Sequence, residues 1–288
     1  RRVLFRSPWM SSGMMSQTLP RSRVRSGATY IEQGNGRDSV VLIHGVGMRA
    51  DVWYPQIKRL SRTHRVIAFD LPGHGGSPML GGTPSLPDFV TWLVDALEEL
   101  KLGAVNLVGH SLGALIAAGA VSGEPHSVSR VALLNVVSRR TPTASAAVIA
   151  RADEIISGTF DREAPLSRWF TPQEIGGEPY MFVRSLLQAV DRNGYASAYR
   201  AFARGDRTYA DSWTSVTRPA LFVTGDGDPN STPQMSQELA SAAPRGRAVV
   251  IPGHRHMVNL TAPELVNNLL LDWLGACEMQ PFGQAGNR

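Results

Sequence analysis

A serine between glycines, at the end of a short apolar run, is the first place in this chain where chemistry could begin. "GHSLG" (109–113) fits the pattern G-x-S-x-G; it follows the β-rich run "AVNLVG" and leads into the small, apolar stretch "LGALIAAGAV". A sharp strand-to-helix turn would lift Ser111 above a sheet, and Gly109 and Gly113 leave the room such a turn needs. The amino end of the following helix would lie beside the hydroxyl, where its partial positive charge favours an oxyanion. This context marks Ser111 as a nucleophile.

A serine hydroxyl attacks only when a base takes its proton, and histidine titrates where that base must work. The seven histidines are His44, His64, His74, His110, His126, His254 and His256. His110 adjoins the serine, so the tight turn should aim it elsewhere. His44 ends the first long strand and His74 lies in "DLPGHGGS", both read as structural, while His64 and His126 read as surface residues. "GHRHM" (253–257) leaves His254 and His256, just past the last predicted strand. The base needs a carboxylate to orient it, and "GDGDPNSTP" (225–233) offers Asp226 and Asp228 at the same sheet edge. The residues alone leave both choices open. "HGVG" (44–47) supplies the remaining element: the backbone N–H of Val46, with that of Leu112, is expected to form an oxyanion hole. Such chemistry requires no metal and no organic cofactor.

Six runs of six to nine strand-forming residues must carry these loops: 39–44, 64–69, 104–109, 129–137, 219–225 and 247–253. Their nearly continuous Val, Leu and Ile predict strands buried on both faces, and helical patterns such as 85–102 alternate with them. The alternation predicts an α/β fold with a mostly parallel, doubly wound sheet. About eighty residues separate "ALLNVV" from "PALFVTG", too many for an unstructured loop. Residues 138–213 are therefore expected to form a helical cap over the carboxyl edge of the sheet, with 28–137 and 214–275 as the core.

The 288 residues are 43% hydrophobic and 18% charged, a globular mix, and no apolar run approaches the ~18 residues of a membrane span. A sequence pI near 9.8 raises the question of nucleic acid. Residues 1–25 hold six arginines and no acid against a total of +5, so the remainder is nearly neutral and no nucleic-acid partner is expected. Residues 1–27 read as a disordered or artefactual tail; "RRVLFRS" resembles one frame of a translated sequencing-library adapter, which would place the start at Met10, Met14 or Met15. Residues 276–288 read as a flexible tail. The only cysteine, Cys277, allows no internal disulfide, and a cytoplasmic location is expected. The oligomeric state is not encoded in any of these features.

Together "HGVGMRADVW", "DLPGHGGS", "GHSLG", "GDGDPNSTP" and "IPGHRHM" resemble the α/β-hydrolase superfamily in order and spacing, from about residue 28 to 275. The resemblance implies the α/β-hydrolase fold with a Ser-Asp-His triad. Its G-x-x-D-P pattern favours Asp228 over Asp226, and its P-G-x-x-H pattern favours His256 over His254. Arg255 and Thr261 stand where the family often has Gly and Glu. A serine nucleophile argues against haloalkane dehalogenases and epoxide hydrolases, which carry aspartate there. The cap stretches "SRWFTP" and "NGYASAYRAFARGD" are similar to bacterial 3-oxoadipate enol-lactonases, and related hydrolases open N-formyl or N-acyl enamides. Such enzymes act on small carboxylates, which implies substrate contacts for Arg168 and Trp169. The expectation is a serine hydrolase acting through an acyl-enzyme on an ester or lactone of a small, carboxylate-bearing metabolite. A C–N hydrolase, or a ligand-binding member with little turnover, is the alternative.

Overall fold

The computed structural model describes residues 19–159 and 161–275. Its strands are β1 (Ser22–Arg23), β2 (Thr29–Gln33), β3 (Ser39–Ile43), β4 (Arg65–Phe69), β5 (Val105–His110), β6 (Val128–Leu134), β7 (Ala220–Gly225) and β8 (Gly246–Ile251). They form one sheet in the order β1-β2-β4-β3-β5-β6-β7-β8. From β4 to β8 every pairing is parallel, and β1 and β2 are antiparallel additions at one edge. Every residue of β3, β5 and β7 is buried, which is why these runs are apolar throughout instead of alternating.

Register matters more for function than strand count. Ile43 pairs with Gly109, His110 with Leu134, Leu134 with Val223, and Gly225 with Ile251. The ends of β3, β5, β6, β7 and β8 are therefore level. The segments that follow them, from 44, 111, 135, 226 and 252, all leave from one edge of the sheet.

The helices are α1 (Tyr54–Leu60), α2 (Leu86–Glu99), α3 (Leu112–Gly123), α4 (Pro142–Ser157), α5 (Leu166–Trp169), α6 (Glu178–Ala189), α7 (Arg192–Gly205), α8 (Pro233–Ala242), α9 (Val258–Thr261) and α10 (Pro263–Gly275). α2 begins at a capping box in which Asp88 accepts from the Ser85 N–H. α3 is buried along nearly its whole length, which explains its small, uniformly apolar sequence. α4 to α7 lie between β6 and β7. In α7, Tyr195, Ala198, Tyr199 and Phe202 recur at helical spacing and are all buried, giving that helix an apolar face.

The tail boundary expected at residue 27 differs from the structure. β1 lies within it, and Arg21 reaches back to two buried carboxylates, Asp51 and Asp70. Asp70 also accepts from the N–H groups of Ala50 and Gly76 and from the Thr29 hydroxyl. Two residues of strand carry no periodic signal, and the arginine counted with a basic tail is neutralised within the fold. Residues 1–18 and 276–288, including Cys277, lie outside the described residues. Removing the guanidinium leaves buried Asp70 without its cation, while Asp51 keeps Arg49 at 2.7 Å. Arg21→Ala is therefore expected to lower the unfolding free energy by about 3 kcal/mol, read by urea denaturation; a loss near zero would contradict this reading.

Candidate active site

Ser111 sits at the junction of β5 and α3 with φ of +55°, a left-handed conformation that non-glycine residues adopt rarely. Its N–H donates to the Leu134 carbonyl at 2.9 Å, tying the turn to β6. A Cβ at Gly109 would come within 2.1 Å of the Gly113 carbonyl, and one at Gly113 within 2.1 Å of the Ile43 carbonyl. Only glycine permits the strand, the turn and the helix to pack this closely. The Leu112 N–H lies in the first turn of α3, where the helix itself supplies no acceptor.

His256 and Asp228 meet across the sheet edge: His256 Nδ1 donates to Asp228 Oδ2 at 2.7 Å, with both side chains buried. Asp228 Oδ2 also accepts from Asn135 Nδ2 at 2.8 Å, while Oδ1 accepts from the N–H groups of Asn230 (2.8 Å) and Ser231 (3.2 Å). Burial alone would raise this carboxyl's pKa. The facing His256 and these donors outweigh burial and hold it below the usual carboxylate range. An Nδ1–H committed to Asp228 leaves Nε2 as the lone pair of a neutral ring.

The rival residues take other posts. Asp226 accepts from the Gly253 N–H at 2.8 Å and pins the loop. His254 Nδ1 lies 2.8 Å from the Thr261 hydroxyl and 3.2 Å from Glu174 Oε1. Arg255 donates to the carbonyls of Ser167 (2.7 Å) and Phe170 (3.0 Å). The two positions noted as departures from the family pattern, Arg255 and Thr261, thus serve the join between the 253–257 loop and the segment 163–174. Trp169 completes the join: its carbonyl accepts the His256 N–H at 3.2 Å, and its indole stacks on the imidazole with centroids 5.7 Å apart.

Three buried histidines stiffen the surroundings. His44 Nδ1 donates to the Gly45 carbonyl while Nε2 accepts from the Leu71 N–H, and His74 likewise joins the Pro72 carbonyl to the Gly47 N–H. Both must be neutral to accept. Burial pushes them down to about 3 and about 4 respectively. His110 does not point away as expected. Its Nε2 donates to the His256 carbonyl at 2.8 Å, and its ring centroid is 5.0 Å from that of His256.

Ser111 and His256 line a single cleft of about 590 Å³, counting the part open to solvent. Gly45, Val46 and Met48 form one wall, and Tyr195, Tyr199 and Phe202 of α7 another. Three arginines face it, Arg140, Arg151 and Arg168, and no aspartate or glutamate is among its described lining residues. Arg168 Nε and one terminal nitrogen of buried Arg140 have no hydrogen-bond partner. Burial first, and neighbouring Arg151 second, lower the pKa of Arg168. Sequence reasoning reached Arg168 but missed Arg140, Arg151, Asn135 and His110; of these, only His110 carried a signal, its position beside Ser111.

The alpha/beta hydrolase family profile matches residues 40–269, and the chain belongs to that family. It is 49% identical over 261 residues to an (E)-2-((N-methylformamido)methylene)succinate hydrolase of Acinetobacter baylyi, covering 91% of this chain and 98% of the relative. It is 29% identical over 242 residues to a pimeloyl-(acyl-carrier protein) methyl ester esterase of Aromatoleum aromaticum, covering 79% and 94%. Among solved structures, an enol-lactonase from Burkholderia xenovorans LB400 superposes with a TM-score of 0.80 at 26% identity, covering 89% of this chain and all of that one. No helix of the described residues is long and apolar enough to cross a membrane.

Proposed function

We propose that this protein is a serine hydrolase that cleaves the C–N bond of an N-acyl enamide borne on a small dicarboxylate. The observation that carries this reading is the cleft itself, with three arginines, two of them holding unpartnered donors, and no acidic residue in its described lining. Guanidinium groups crowded into one cleft, one of them buried, favour a dianion that supplies bidentate acceptors. The Acinetobacter baylyi relative acts on a succinate derivative, which carries two carboxylates beside an N-formyl enamine. This similarity moves the C–N bond ahead of the ester or lactone expected from the sequence.

In this mechanism Ser111 Oγ attacks the acyl carbon as its proton passes to His256 Nε2. Asp228 holds the ring in the tautomer that can accept the proton and stabilises the imidazolium. The developing oxyanion takes hydrogen bonds from the N–H groups of Val46 and Leu112, each worth ~3 kcal/mol to the transition state. His256 returns the proton to the leaving nitrogen and the C–N bond breaks. Water then attacks the acyl-enzyme, gives one proton to His256, and the regenerated serine recovers it. Trp169, stacked on the base, and Arg168 form the wall facing the substrate.

The test is steady-state turnover of (E)-2-((N-methylformamido)methylene)succinate beside a carboxylate-bearing enol-lactone and p-nitrophenyl acetate. Arg168→Ala is expected to raise KM for the diacid about 10- to 100-fold, the worth of one charge-assisted contact, and to leave that for p-nitrophenyl acetate within about twofold. If the diacid is inert and the lactone turns over, the C–N reading fails and lactone hydrolysis replaces it.

A further inference from the structure

Asn135 is wholly buried just past β6, and its backbone is tied on both sides. Its N–H donates to the Val223 carbonyl of β7 at 2.7 Å, and its own carbonyl accepts from the Ser231 hydroxyl at 2.7 Å. The φ of +50° is left-handed, a conformation that asparagine adopts more readily than most residues with a side chain. Glycine would turn as easily, so the turn alone does not call for an amide.

The side chain supplies the reason. Nδ2 lies 2.8 Å from Asp228 Oδ2, 3.2 Å from the Arg255 carbonyl and 3.3 Å from Thr224 Oγ1. Thr224 gives its own proton to the Ser231 carbonyl, so all three atoms accept from the amide. A flipped amide would set its oxygen against them, and Oδ1 accordingly points where it has no hydrogen-bond partner. One NH2 group thus bridges Asp228 and the residue that precedes His256.

Asp228 Oδ2 takes two donors, His256 Nδ1 at 2.7 Å and Asn135 Nδ2, while Oδ1 takes the N–H groups of Asn230 and Ser231. A carboxylate offers about four lone-pair sites, and this one, with its side chain closed to solvent, has a donor for each. Burial pushes the carboxyl up; His256, the Asn230 N–H and the Asn135 amide together bring it below the usual range. On Oδ2 the ring and the amide share a single oxygen.

We infer that Asn135 is a positioning residue, which fixes the Asp228 carboxylate against His256 and draws off part of the charge that Oδ2 presents to the ring. A base that must take a proton from Ser111 and return it to the leaving nitrogen works best at intermediate strength. An imidazolium facing the whole charge would keep its proton too long. Other groups also face His256: His110, neutral through burial, from the end of β5; the uncharged Trp169 indole from α5; and Arg140, Arg151 and Arg168 in the shared cleft. On its own loop, His254 and Arg255 are engaged with the segment 163–174. Among the described residues none of these bonds to Oδ2. The inference rests on the reading of Ser111, His256 and Asp228 as one machine.

Asn135→Gly keeps the left-handed backbone and removes the amide. Oδ2 then faces the ring alone and holds the imidazolium more tightly. The acid limb of kcat/KM for p-nitrophenyl acetate is therefore expected to move up by about half to one pH unit, with the plateau rate about tenfold lower. Ser231→Ala is the control: it frees the Asn135 carbonyl and loosens the same loop but leaves both donors on Oδ2, so its limb should stay with wild type. A limb that stays or falls in Asn135→Gly, or that rises equally in Ser231→Ala, would overturn the proposal and leave Asn135 a prop. Should the glycine chain not fold, 1H–15N NMR of the wild type decides, and it needs no substrate. Asn135 Nδ2 protons that shift as His256 titrates support the shared oxygen; protons that stay put overturn it. Hydrolysis that persists in Ser111→Ala sinks the serine reading itself, whereas its loss beside an unmoved Asn135→Gly limb sinks only this inference.

Discussion

Ser111→Ala is expected to lower kcat by about four to six orders of magnitude, with substrate binding largely kept. The oxyanion donors belong to the backbone and the arginines to other elements, so the variant should still bind the diacid. Asp228→Asn should cost about 10⁴-fold, because the Asn230 and Ser231 N–H groups hold the amide oxygen at the Oδ1 position, so its NH2 faces Nδ1 and the ring loses the tautomer it needs. Asp226→Asn should stay within a few-fold of wild type, since its carboxylate pins the Gly253 N–H. Single-turnover kinetics with isothermal titration of the diacid checks all three. Near-wild-type rates in Ser111→Ala, or a reversal of the two aspartate results, would remove this assignment of the machinery.

Stability should fall steeply on mild acidification. His44, His74 and His110 have pKa values of about 3, 4 and 3 in the folded chain, lowered foremost by burial, against about 6.5 when unfolded. Between those values the unfolded state binds more protons, so stability rises with pH in that window. The contribution is fully present above the unfolded value and drains away as pH falls through it. Each histidine withdraws about 1.4 kcal/mol per pH unit well below 6.5, so the three together withdraw about 4 kcal/mol. The carboxylates held below their ordinary range, Asp70 and Asp228, act in the same direction but only below about pH 4. Urea denaturation from pH 8 to pH 5 should give a flat plateau followed by a steep loss below about 6.5. A curve flat down to pH 5 would mean these rings accept protons in place.

The strands that matter were legible because burial on both faces writes an unbroken apolar run. The proposed nucleophile, Ser111, was legible because so tight a turn tolerates only small neighbours. The proposed base, His256, and the proposed acid, Asp228, were not legible from the residues alone. Each has a chemically identical residue two positions away, and only the packing of the loop sends Asp226 to Gly253 and His254 to Thr261 and Glu174. Asn135, just past the end of β6 with φ of +50°, carries no motif, yet it donates to Asp228. Arg140 and Arg151 were invisible for a related reason. They meet Arg168 only through the way α4, α5 and α7 fold over the sheet edge, and one helix's periodicity says nothing of its neighbours. The β1–β2 pair was missed because two residues are too few for a pattern.

The loop carrying His256 is fastened to the segment above the cleft at three points: Arg255 to Ser167 and Phe170, His254 to Glu174, and the His256 N–H to Trp169. This makes the roof and the proposed base a single heritable part. A relative that exchanged the stretch between β6 and β7 for another would bring in a new binding surface and, in the same event, strip the proton carrier of its support. Swaps of that stretch between family members should therefore succeed only when the loop after β8 travels with it, so divergence in substrate has to proceed by point changes in the wall or by joint replacement of two segments far apart in the chain.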